Sequence, residues 1–62
     1  MNEYIVRVFD TKYSDKGTDT GIWHMGPDRI DLSRKAKQSI MDVYGVREGN
    51  RYVARFEKVV MK

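Results

Sequence analysis

The spacing of apolar residues changes at Pro27, and that change limits the folds open to this chain. Before it, residues 3 to 9 (Glu-Tyr-Ile-Val-Arg-Val-Phe) alternate, with Tyr4, Val6 and Val8 on one side and Ile5, Arg7 and Phe9 on the other. This is the period-two pattern of a strand, in residues whose branched or aromatic side chains suit a pleated surface. After it, Leu32, Ala36, Ile40 and Val43 or Tyr44 fall on one stripe at a period of roughly 3.6, while Arg34, Lys35, Lys37 and Asp42 fall elsewhere. The two periods side by side predict an α+β domain.

The remaining segments fill in the plan. Asp10 to Gly21 is polar and carries Asp15, Gly17, Thr18 and Asp19, which is loop chemistry. Ile22-Trp23-His24-Met25, bounded by Gly21 and Gly26-Pro27, predicts a short second strand antiparallel to the first. Asp31 or Ser33 is expected to cap a helix over residues 32 to 44, and Gly45 to take the left-handed position after it, with Val46 folding back on the last turn. Glu48-Gly49-Asn50 reads as a turn. Arg51 to Val60 reads as a closing strand, with Tyr52, Ala54 and Phe56 on one face and Val53 and Val59 on the other. The expected architecture is one domain over residues 1–62, of order ββαβ: an antiparallel-rich three-stranded sheet with one helix on one face.

One helix covers only one face of a sheet. If Tyr4, Val6, Val8, Tyr52, Ala54 and Phe56 face it, the opposite face carries Ile5, Arg7, Phe9, Arg51, Val53, Arg55 and Val59. An uncovered face ordinarily alternates to polar residues, whereas a mixture of aliphatic, aromatic and Arg side chains is the composition of protein interfaces. With 62 residues the chain has a thin core, and with no Cys it has neither disulfides nor thiolate zinc sites to support it. Added burial in a homodimer or against a protein partner is therefore the leading expectation for this face. Trp23 is the second partner candidate, since Trp anchors many interfaces, although the single Trp of a small domain more often belongs to the core, where it is expected.

Nucleic acid is the alternative partner. The chain has 12 Lys and Arg against 9 Asp and Glu, a net charge of +3. Arg34, Lys35 and Lys37, placed at the expected helix start, oppose the helix dipole unless a phosphate or carboxylate binds there or Asp28 and Asp31 neutralise the turn. Arg7, Arg51 and Arg55 would extend such a basic surface, with Phe9 stacking on a base. No aromatic RNA-binding motif accompanies them.

Signatures of catalysis and of metal binding are absent from the sequence. There is one His and no Cys, Asp10, Asp15 and Asp19 do not have the spacing of a calcium loop, and neither a phosphate-binding glycine loop nor a nucleophile elbow occurs. His24 is expected to be a surface or partly packed residue. No apolar run approaches the roughly 18 residues of a membrane span, and Met1-Asn2-Glu3 lacks the basic and apolar regions of a secretion signal. The expectation is a cytoplasmic, non-enzymatic binding protein without cofactor or metal: a small regulator or inhibitor that blocks a surface of a larger protein complex. Phage-encoded proteins are frequent in that class.

Overall fold

A computed structural model describes residues 2–60, as β1 (Asn2–Asp10), β2 (Thr18–Gly26), α1 (Arg29–Tyr44) and β3 (Tyr52–Val60). The three strands form one sheet in the order β2-β1-β3, with β1 antiparallel to both neighbours. The α+β class and the ββαβ order are those the sequence predicts. β1 is the central strand, with both of its backbone edges paired.

The alternation along β1 sets the core. Val6 and Val8 are fully buried on the face that meets Leu32, Ala36 and Ile40, three helix residues at intervals of four, and Tyr52 completes the buried set. Tyr4, Ala54 and Phe56 pack around it with Ile22, Tyr44 and Val46. The predicted register is therefore the observed one: Val6 lies opposite Phe56, and Val8 opposite Ala54. Full burial of side chains such as Leu32 and Ile40 contributes about 1.5–3 kcal/mol each. The Tyr44 and Tyr52 rings stack at 3.7 Å between centroids and 7° between planes, joining the last helical turn to the start of β3.

The helix begins earlier than its apolar stripe. Its N-cap is Asp28, not Asp31 or Ser33: the Asp28 carboxylate accepts from the backbone N–H of Ile30 at 2.9 Å and of Asp31 at 3.4 Å. The first turn faces solvent, with Ile30 68% exposed, so no inward residue before Leu32 reports it. At the other end Gly45 takes the expected left-handed conformation (φ +71°) and donates to the Met41 carbonyl at 2.9 Å.

β2 is also longer than Ile22–Met25. Its polar half, Thr18 to Thr20, resembles a loop in composition yet pairs with the end of β1, Phe9 opposite Asp19 and Asp10 opposite Thr18. Between Arg7 opposite Trp23 and Phe9 opposite Asp19 the register shifts, so β2 carries two extra residues across from Val8. Side chains close the irregularity: Asp19 Oδ1 accepts from Gly21 N–H, Thr20 Oγ1 accepts from Ile22 N–H, and the Thr20 hydroxyl donates to the Val8 carbonyl. The true loop, residues 11–17, is shorter than the Asp10-to-Gly21 segment expected.

Candidate functional site

The open face of the sheet is assembled from the odd-numbered residues of β1 and their partners. Ile5 lies between Met25 and Glu57, and Arg7 between Trp23 and Arg55. Phe9 lies between Asp19 and Val53, and Glu3 is paired with Val59. Of the partner-binding candidates, Ile5, Arg7, Phe9, Val53 and Arg55 thus meet on one surface, as their alternation predicts, and Trp23 joins them.

Trp23 is the correction of most consequence. It is 58% exposed and Met25 49%, so the only Trp of the chain lies outside the core. The reason is parity: His24 is the β2 residue aligned with buried Val6, which sends Trp23 and Met25 to the other side. With Ile5, Arg7 and Asp19 they line a shallow depression of about 400 Å³.

Arg51 does not belong to this surface. Its guanidinium makes two bonds to the Asp10 carboxylate, at 2.8 and 2.7 Å, and lies over the Tyr52 ring, which faces the helix. The hydrogen bonds that Arg51 donates to Asp10 hold the Asp10 carboxyl below its ordinary range and the Arg51 guanidinium above its own. Thr11 completes the clasp, its hydroxyl and its N–H both donating to the Arg51 carbonyl. Arg51 precedes the first residue of β3, so alternation within the strand does not govern it.

The arginines that remain on the face are lightly held. Arg7 and Arg55 are directly opposite on neighbouring strands, an unfavourable pairing of like charges. Arg7 is 3.9 Å from Glu57, while Arg55 lies over the Phe9 ring and donates to the Asp15 carbonyl at 3.1 Å. Sequence reasoning overlooked three carboxylates here. Glu3 and Glu57 share the parity of Ile5 and Val53 and could have been placed with them; Asp19 was hidden by the extra residues in β2. The face thus carries Glu3, Asp19 and Glu57 against Arg7 and Arg55, slightly acidic in a chain of net charge +3.

The excess positive charge lies elsewhere. With the helix starting at Arg29, Arg34 and Lys35 stand in its second turn and Lys37 in its third, beyond the free N–H groups of its start, where the Asp28 carboxylate already sits. They therefore do not stand at the helix N-terminus, where the alternative reading placed an anion site, and the acid Asp28 does. Lys35 pairs with Asp31 at 3.2 Å, and all three cations are exposed. His24 is half-buried on the helix side, 2.9 Å from Ser39 Oγ. Among the described residues, no three acidic or histidine side chains converge as a metal site and no helix is long and apolar enough to cross a membrane.

No family model matches the sequence, and neither a curated protein nor a solved structure matches the chain.

Proposed function

We propose that this is a small non-enzymatic binding protein that acts as a regulator or inhibitor, occupying a surface of a protein assembly through its open sheet face. The observation that carries the reading is Trp23, with Met25, exposed beside Ile5 and Phe9 on the face the helix leaves uncovered. Exposed aromatic and Met side chains among arginines have the composition of interface cores. Its mechanism is steric: bound there, the domain excludes any other ligand of the covered surface. A cytoplasmic site of action and a viral origin accord with this reading.

The second reading is nucleic-acid binding through exposed Arg34, Lys35 and Lys37, supported by the segregation of positive charge onto the helix side. Salt separates the two. Phosphate contacts weaken linearly on a log-log plot against salt concentration, whereas apolar contacts persist. Light scattering at low and high salt, with and without a mixed DNA and RNA oligonucleotide pool, is expected to show no oligonucleotide-dependent mass. A mass increase confined to low salt and lost on neutralising Arg34, Lys35 and Lys37 would replace the first reading by the second. Photo-crosslinking from position 23, compared with position 34, then identifies which surface meets protein.

A further inference from the structure

The register of the open face shows more than its composition. Two of its rows are adjacent: Met25, Ile5 and Glu57 in one, Trp23, Arg7 and Arg55 in the next, each in the order β2, β1, β3. Consider a two-fold axis lying in the face, perpendicular to the strands and midway between these rows. A second copy turned about it sets each row on the other while every strand stays over its own counterpart. Trp23 then meets Met25 of the second copy, a favourable aromatic–sulfur contact. Glu57 of the second copy meets the row in which Arg7 and Arg55 stand side by side, and adds a carboxylate opposite Arg55, beyond the one that Arg7 has at 3.9 Å in its own chain. One row further out on each side, Val53 meets Val59 of the second copy.

From this complementarity we infer that a second copy of this chain closes the open face, giving a two-fold dimer in which two sheets pack face to face between outer helices. The inference rests on the reading of this face as a protein-docking surface and names its occupant. A symmetric pair of this kind must be complementary to itself, because every contact occurs twice. The face meets that requirement in charge: it carries both signs in adjacent rows, so the two-fold brings unlike charges together in two equivalent places. Aligned sheets pack about 10 Å apart with their inner side chains interdigitating. The charged side chains are lightly held, Arg55 by an exposed bond to a loop carbonyl and a stacking contact with Phe9, and Glu57 by a 3.9 Å contact. Three strands of nine residues give a small footprint, so the association is read across a series of protein concentrations.

Reversal of charge tests the proposed pairing. Arg55→Glu leaves carboxylates in both rows of β3, and Glu57→Arg leaves guanidiniums in both; each change is repeated by the two-fold. Both positions are exposed, so the fold is retained, which circular dichroism verifies. The mass from light scattering across a concentration series is expected to rise from one chain to two for the unaltered protein, with a blue shift in the emission of Trp23, the only Trp. Each variant alone is expected to associate at least about tenfold more weakly. An equimolar mixture of the two variants is expected to restore the dimer, because the rows that meet then carry opposite signs. A monomer at every concentration, or a dimer indifferent to both variants, overturns the inference. The failures are distinguishable. A monomer that crosslinks to a different protein from position 23 removes only the second copy as occupant, whereas a monomer that gains mass with oligonucleotides at low salt removes the docking surface as well.

Discussion

The clasp between Asp10 and Arg51 makes the stability of the fold depend on pH in a definite direction. Because Arg51 holds the Asp10 carboxyl below its ordinary value of 3.8, the pair contributes stability that is fully present above that value and is lost as pH falls through the lower, folded one. Urea midpoints are expected to fall as pH drops below about 4, and Asp10→Asn to flatten that fall while lowering the midpoint at pH 7. The core is far less tolerant. Ile40→Val is expected to cost about 1 kcal/mol and Ile40→Ala about 2–5 kcal/mol. A domain this small holds only about 3–5 kcal/mol in all, so the first variant should melt cooperatively at a lower temperature and the second should lose most of its stability at 25 °C. Gly17 combines a positive φ of +82° with a site where a Cβ would lie 2.8 Å from Phe9 Cβ, while Gly21 has a similar φ and open space around it. Gly17→Ala should therefore lower the thermal midpoint more than Gly21→Ala.

Elements were legible in the sequence to the extent that burial patterned them. The alternation in β1 and β3 placed Val6, Val8, Tyr52 and Phe56 on the helix side, and Gly45 marked the helix end, because burial and a left-handed turn each restrict residue type. The helix start escaped because its first turn touches solvent, leaving Arg29 and Ile30 outside the apolar stripe; the Arg29 guanidinium lies over the Tyr4 and Phe56 rings instead. The outer half of β2 escaped because Asp19, Thr20 and Gly21 serve an irregular pairing with the same chemistry that makes a loop. On the open face, alternation found Ile5, Arg7, Phe9, Val53 and Arg55; the misplaced boundary of β2 hid Asp19, and the frequency with which a lone Trp is buried drew Trp23 inward. The cap is directly testable. Asp28→Ala is expected to cost about 1 kcal/mol in thermal unfolding. Asp31→Ala, which removes one exposed pair with Lys35, should cost only about 0.2–0.5 kcal/mol.

In the whole molecule, one helix and one sheet leave a single thin core beneath an uncovered second face. Association and stability are then linked: a dimer melts at a temperature that rises with protein concentration. Trp23→Ser is expected to leave the melting temperature of dilute protein nearly unchanged, since the side chain is exposed, and to abolish its concentration dependence in differential scanning calorimetry. The strand order has a further consequence, for synthesis. The strand translated first lies in the middle of the sheet, and one of its two edges is completed only by residues 52–60, the last described. On the ribosome a hairpin of β1 and β2 therefore waits with one edge open through the whole of the helix, and a two-stranded ribbon is at best marginal in water. The three-stranded sheet closes only once residues 52–60 can reach β1, and until then that edge of β1 has no strand to pair with.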